Sequence, residues 1–351
     1  MLIQANVPLA PLTTFKVGGP AKLLVEAQSE EEVLEAVQYA RSNHRALFVL
    51  GGGSNLVVAD KGFDGLVLKI AIKGTTQRDI RGRREYVVGA GEDWDGFVAR
   101  AVAQGCAGIE TLSGIPGTVG GTPVQNVGAY GAEVSETMQS VRVLDLLTMQ
   151  AREMSNAECG FEYRTSIFNT SQKGRYIVLR VMFSLAPGGK PRVTYADLRK
   201  YFGDGDTNPS LQQVRDAVRE IRHSKAMLIV PDDDDCRSAG SFFKNPIVDG
   251  ERYERVASVA AERGLAPPAK YPATEGKVKI PAAWLVENAG FHKGHTQGKA
   301  GISTKHSLAI VNRGGASAAE IIALKEDVQR AVRKTFGIEL QPEPVFVGMD
   351  A

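Results

Sequence analysis

Long apolar runs, paired cysteines, blocks of basic residues and internal repeats are all missing from this 351-residue chain. Each absence closes off a class of protein. No segment reaches the roughly 18 apolar residues of a membrane helix, and the N-terminal MLIQANVPLAPLTTFKVGG has no basic patch followed by an apolar run. Neither membrane insertion nor export is expected. The three cysteines, Cys106, Cys159 and Cys236, are odd in number and without CxxC spacing, which argues against a disulfide framework or structural zinc and fits a reducing cytoplasm. Formal charge is only +2 and the basic residues are scattered, so the field that draws proteins to nucleic acid is weak, and an anionic ligand must be held locally.

What is present is an ordinary globular composition, 43% hydrophobic and 23% charged, with 38 glycines available for tight turns or phosphate-holding loops. A chain this long exceeds one growing core, so two or three domains around a shared cleft are expected. Residues 29–43 open with Ser29 and Glu32 in capping-box spacing and put Val33, Ala36, Val37 and Ala40 on one helical face. Strands are read at 46–58 on either side of a glycine cluster, at 65–70 and at 86–91, and a helix at 94–105 stopped by Gly105. Strands at 141–149 and 175–185 flank a helical turn, and 203–210 (GDGDTNPS) reads as a hinge. A helix at 210–225 turns Leu211, Val214, Val218 and Ile221 inward, and one at 317–337 has a capping box in Ser317 and Glu320 and ends on Gly337. VFVG (345–348) is a last strand.

Two glycine loops could carry chemistry. Gly51-Gly52-Gly53-Ser54-Asn55 lies between strands, so its amides could form an anion-binding concavity, though a tight turn explains it as readily. The nearest imitation of a Rossmann fingerprint, Gly89 to Trp94, lacks the third glycine. The stretch from Ser113 to Asn126 combines four glycines with two prolines: close backbone approach on a stiff loop, suited to a pyrophosphate, or else an Ω-loop packed on itself. Without a Walker lysine, two such loops favour a dinucleotide cofactor over a nucleoside triphosphate.

In order along the chain, Thr14 to Gly19, Gly51 to Leu56, Ile115 to Tyr130, Tyr163 to Phe168, Ala239 to Pro246 and Leu340 to Pro344 resemble the UDP-N-acetylenolpyruvoylglucosamine reductase family, flavoenzymes that make UDP-N-acetylmuramate for peptidoglycan. The resemblance covers nearly the whole chain. It implies an α+β protein: a two-part FAD-binding region of the vanillyl-alcohol-oxidase type (1–70 and 71–205), then an α/β substrate-binding domain (206–351) whose last strand could return to the FAD region. FAD is expected to be non-covalent, because His44, the only histidine before residue 223, follows a helix rather than lying in a glycine loop. NADPH is the implied hydride donor, sharing one pocket with the substrate.

The resemblance assigns FAD to Gly51, Gly52, Gly53, Ser54, Asn55, Leu56, Ser113, Ile115, Pro116, Gly117, Gly120, Gly121, Gln125, Asn126 and Arg222. Hydride passes from flavin N5 to C3 of the enolpyruvyl group, and Ser241 matches the proton donor to C2. A serine after a glycine is by composition a turn or cap residue, and its hydroxyl is a very weak acid that serves only toward a strongly basic carbon. Arg164 and Glu343 match the residues that polarise the substrate carboxylate; read plainly, they are a surface-pair arginine and a solvated glutamate. Tyr195 and Asn245 match residues holding the sugar nucleotide, Lys225 a lysine near the substrate (with Ala226 in place of the glycine often found next), Tyr271 the tyrosine of a loop that closes over UDP in one subgroup, and His306 a substrate contact. His292, His295 and His306 lack a carboxylate or cysteine completing a ligand set, so no metal is expected; Asp232 to Asp235 reads as a solvated acidic loop. The enzyme is expected to be a cytoplasmic monomer acting on a small molecule, with no nucleic acid or membrane partner. An FAD-dependent alcohol or aldehyde oxidase and a non-catalytic nucleotide-sugar binder are the competing readings.

Overall fold

The structure is a computed structural model and describes residues 1–203, 208–273 and 276–349. The chain forms two compact units, one built from 1–7, 21–53 and 63–229, the other from 8–20, 54–62 and 230–351. Both mix helices with sheets, giving the expected α+β class.

In the first unit, Pro20–Ala27, Phe63–Ile70 and Ala46–Leu50 pair in parallel, with Phe63–Ile70 in the middle. Helix α1 (Glu30–Ser42) starts where the Ser29 side chain accepts the Glu32 N–H at 3.2 Å, and it buries the four predicted residues. A second sheet is antiparallel in the order Gln150–Ser155, Met138–Asp145, Tyr176–Pro187, Arg83–Gly89, Thr75–Ile80. Helix α2 (Trp94–Ala103) is capped by Asp93, and Gly105 follows it with φ 67°. Trp94, Phe97, Tyr86 and Phe183 interlock within one core shared with α1 and both sheets.

The strand expected to run to 149 stops at Asp145, whose carboxylate takes the Leu147 N–H at 2.9 Å and turns the chain back into Gln150–Ser155. Helices α3 (Ala196–Phe202) and α4 (Leu211–Ser224) pack through Leu198, Val214, Ala217 and Val218, with Ile221 only half-buried. Helix α4 therefore belongs to the first unit, and the boundary between units falls after Ile229. Of the expected hinge, residues 204–207 lie outside the described residues.

The second unit centres on helix α7 (Ala318–Phe336), whose apolar face from Ile321 to Phe336 packs with helices α5 (Gly250–Glu262) and α6 (Ala282–Asn288). Its capping box joins Ser317 and Glu320, and it ends on left-handed Gly337. Val345–Val347 pairs in parallel with Leu56–Val58. The Thr14 to Gly19 motif is packed tightly here: Phe15 is fully buried edge-on to Phe242, and a Cβ on Gly19 would lie 2.2 Å from the Asp60 carbonyl oxygen.

Candidate active site

Strand Ala46–Leu50 delivers Gly51 to Gly53, with Gly53 in the left-handed region at φ 65°. A Cβ on Gly52 would lie 2.5 Å from the Gly117 Cα and one on Gly51 would lie 3.0 Å from the Thr118 Oγ1, so the two glycine loops meet backbone to backbone. The second loop is anchored on α2: the Trp94 indole N–H donates to the Leu112 carbonyl at 3.0 Å and the Trp94 amide to the Gly117 carbonyl at 3.1 Å. Val119 and Gly120 donate to the carbonyls of Glu92 and Ala90, while Gly114 and Gly117 need positive φ, 70° and 119°.

Within that loop, buried Ser113 donates to the Glu110 carbonyl at 2.6 Å, and Ile115, Pro116, Gly120 and Gln125 are half-buried. Gly121 is exposed, with nothing within 4 Å of a Cβ there. Asn126, left-handed and buried, donates to Glu133 at 2.7 Å and to the Glu162 carbonyl at 3.1 Å, and its oxygen accepts the Ser135 N–H.

Arg222 on α4 donates Nε to the Gly114 carbonyl at 3.0 Å and Nη2 to the Met227 carbonyl at 2.6 Å. Burial pulls its pKa below the ordinary value, with the adjacent Tyr130 and Asp95 opposing. Tyr130 is pushed up to about 12, chiefly by burial, and stays a neutral hydrogen-bonding group. Its ring meets Tyr195 edge-on at 5.5 Å. Tyr195 is 45% exposed and starts α3, where Asp197 takes the Lys225 Nζ at 2.6 Å. Ala226, next to Lys225, adopts φ 52°, so the conformation itself is one that favours glycine. Arg164, at φ 55°, stacks 5.4 Å from the Tyr163 ring, and its Nη1 would be 2.9 Å from a Cβ on Gly128.

In the second unit, Ser241 and Glu343 lie on adjacent extended segments. The Glu343 N–H donates to the Phe242 carbonyl at 2.9 Å, the Lys244 N–H to the Gln341 carbonyl at 2.9 Å, and Phe243 bridges Pro342. Asn55 joins the same segment, donating Nδ2 to the Glu343 carbonyl at 3.1 Å while its own carbonyl accepts the Val345 N–H at 2.9 Å. The Phe242 N–H reaches the Leu308 carbonyl, and the Leu308 N–H donates to His306 Nδ1 at 3.0 Å, which leaves the proton of a neutral His306 on Nε2. Asn245 spends its side-chain oxygen on the Ala282 N–H of α6 at 2.8 Å. The Ser54 carbonyl accepts the Thr14 hydroxyl, Leu56 opens its strand, and Tyr271 is 49% exposed beside residues 274–275, which lie outside the described residues.

The acidic run is only in part the solvated loop expected: Asp232 and Asp234 are exposed, Asp233 and Asp235 are not. Asp235 is 6% exposed and accepts the Thr304 N–H and hydroxyl, and Asp233 holds Lys305 at 2.7 Å. Both are used to fasten the turn that carries His306. Among the described residues no three His, Cys, Asp or Glu side chains gather as a metal-holding group.

A loop pair with glycines at every point of backbone approach, stiffened by proline and flanked by a half-buried guanidinium, suits a diphosphate held by main-chain amides. The cradle fits FAD in kind, and residues 21–148 match a family profile described as an FAD binding domain. The first unit thus carries the cofactor domain of a flavoprotein. Residues 231–347 match the profile of the UDP-N-acetylenolpyruvoylglucosamine reductase C-terminal domain. Over 98% of both chains this sequence is 47% identical to the reductase of that name from Thermobifida fusca, and it is 44% identical to that of Mycolicibacterium smegmatis over 99% of this chain and 96% of the relative. The crystal structure of the Thermus caldophilus reductase superposes with a TM-score of 0.67 at 26% identity, covering 99% of each chain. The chain belongs to the UDP-N-acetylenolpyruvoylglucosamine reductase family.

Sequence reasoning passed over Tyr130, Asp95 and Asp197. Tyr130 closes the quoted Ile115 to Tyr130 motif, so its position was legible; the two aspartates sit inside helices and take partners far away in the chain.

Proposed function

We propose that this protein reduces the enolpyruvyl group of UDP-N-acetylglucosamine enolpyruvate to give UDP-N-acetylmuramate, with NADPH as electron donor, in peptidoglycan precursor synthesis. Non-covalent FAD, when bound, would supply hydride-transfer chemistry between NADPH and substrate C3. The two glycine loops and Arg222 hold its diphosphate by backbone amides and charge. Arg164 by its charge, and Glu343 in its protonated form as a hydrogen-bond donor, polarise the substrate carboxylate, where negative charge develops, and Ser241 gives its hydroxyl proton to C2. Tyr195, Lys225, Asn245, Tyr271 and His306 hold the nucleotide sugar. Residues 1–70 and 71–205 serve mainly the cofactor and 206–351 mainly the substrate, with Arg164 and Tyr195 of the former turned to the substrate and Arg222 of the latter to the cofactor. The protein works as a cytoplasmic monomer without nucleic acid or membrane.

The observation that carries this reading is the Glu343 to Phe242 backbone hydrogen bond, which makes Ser241 and Glu343 neighbours although 102 positions separate them (343 minus 241). Stopped-flow measurement of the two half-reactions tests it. Ser241→Ala is expected to bind FAD and accept hydride from NADPH at the parent rate while enolpyruvyl reduction falls by roughly 100-fold or more, the scale of a lost general acid. Loss of the first half-reaction instead would make Ser241 structural. Purified protein that is colourless and takes up no flavin would refute the whole reading.

A further inference from the structure

Asp95 is the second residue of helix α2, and its carboxylate makes four hydrogen bonds, none of them to its own helix. Oδ1 accepts the Gly114 N–H at 2.6 Å and the Arg215 Nη1 at 2.6 Å; Oδ2 accepts the Arg215 Nη2 at 2.9 Å and the Arg219 Nη1 at 2.6 Å. Capping of α2 falls instead to Asp93, which takes the Gly96 N–H at 2.7 Å. The carbonyl of the same residue, Gly114, is held by Arg222, which donates to it at 3.0 Å. One residue of the cofactor loop is therefore clamped on both sides, its N–H by a carboxylate and its carbonyl by a guanidinium, and it is a glycine whose φ of 70° other residues resist.

The charges are unequal. Arg215, Arg219 and Arg222 supply three positive charges along helix α4 against one negative charge on Asp95. Removing Asp95 would raise the positive charge beside the loop, which by attraction alone should tighten binding of a diphosphate. We infer that Asp95 is a positioning residue for the cofactor: by holding the Gly114 amide it fixes the shape of the Ser113 to Gly117 loop, at the expense of electrostatic attraction. This rests on the proposed assignment of that loop to FAD. Burial would raise the Asp95 pKa, but the Arg215 and Gly114 hydrogen bonds and then Arg219 outweigh it and hold the group ionised.

Because position and charge predict opposite signs, equilibrium titration of the flavin-free protein with FAD decides between them. Asp95→Asn is expected to raise the Kd for FAD on the order of 10- to 100-fold, the loss of one charge-assisted hydrogen bond. Asp95→Glu keeps the charge and the long, adaptable arginine partners but moves the carboxylate one methylene from Gly114, so it should also weaken FAD, by about 10-fold, and it serves where Asp95→Asn does not fold. Arg219→Met, which leaves the Gly114 bond in place, should change Kd by less than about threefold. A Kd for Asp95→Glu equal to the parent, a tighter Asp95→Asn, or an Arg219→Met as weak as the aspartate variants would each overturn the inference. Failure of the parent protein to bind FAD would instead refute the functional reading on which it rests.

Discussion

Alanine at Gly52 tests whether the two glycine loops meet as tightly as their backbones indicate. The added Cβ would lie 2.5 Å from the Gly117 Cα, 2.8 Å from the Gly117 carbonyl carbon and 3.0 Å from the Thr118 nitrogen. Carbon atoms pack best at about 3.5–4.0 Å, so roughly 1 Å of separation must be found. Gly117 gives little, because its carbonyl is held by the Trp94 amide at 3.1 Å and the next residues are tied to Glu92 and Ala90. The loop at Gly51 to Gly53 must move instead. Overpacking of this kind costs about 1–3 kcal/mol in stability. A displacement near 1 Å also takes an amide out of the hydrogen-bonding range of roughly 2.7–3.2 Å, and one or two lost bonds to a charged phosphate weaken FAD by roughly 10- to 100-fold. Thermal melting of the flavin-free protein and titration with FAD measure the two effects separately. Gly121→Ala is the control: nothing lies within 4 Å of its Cβ, so it should leave the flavin-free melting temperature unchanged. A Gly52→Ala variant that melts and binds FAD like the parent would refute the contact.

Two further outcomes follow from backbone and charge. Ala226 is 2% exposed at φ 52°, so Ala226→Val should cost about 2 kcal/mol or more in urea unfolding, whereas Ala226→Gly should be close to neutral, its relief of strain offset by the lost methyl burial; a valine variant with the parent midpoint contradicts this. For acid, Asp95 and Asp233 are held below the ordinary value of 3.8, Asp233 mainly by its Lys305 hydrogen bond, so their stabilisation is complete above about pH 4 and is lost as pH falls through the lower folded values. Melting temperatures between pH 6 and pH 2.5 should fall mainly below pH 4, and Asp95→Asn should flatten that fall; an equally steep fall in the variant would show that Asp95 takes no part.

Helices α1, α2 and α7 were legible in the sequence because their boundaries are written locally, in Ser29 and Ser317 at one end and Gly105 and Gly337 at the other. Gln150–Ser155 was not legible, since QAREMS has a single buried residue, Met154, and owes its extended form to the strand it pairs with. Thr75–Ile80 has no buried residue at all. Helix α5 did carry a signal in Tyr253, Val256 and Ala260, spaced three and four apart. The candidate site divides in the same way. Its glycines announce themselves by number and spacing, but Asp95 reads as an ordinary acid near a helix start until Arg215, 120 residues away, is brought to it by the fold. The acidic run misleads for the same reason: nothing in PDDDD tells that Asp235 is matched to Thr304.

The motifs that carry the family resemblance also differ in kind. Gly18 and Gly19 resemble ligand-binding glycines in sequence, yet a Cβ on Gly18 would lie 2.5 Å from the Val58 Cβ, so packing alone demands them. Phe15 lies against Phe242, and Phe242 uses its N–H on Leu308 and its carbonyl on Glu343. That motif therefore packs beneath the segment that follows Ser241, where Phe243 pairs with Pro342 and Phe242 with Glu343. The loop at Gly51 to Gly53 answers to a different demand, the approach of Gly117 on one side with exposed Gly52 on the other. Glycine counts alone do not separate these two cases; what a Cβ would strike does.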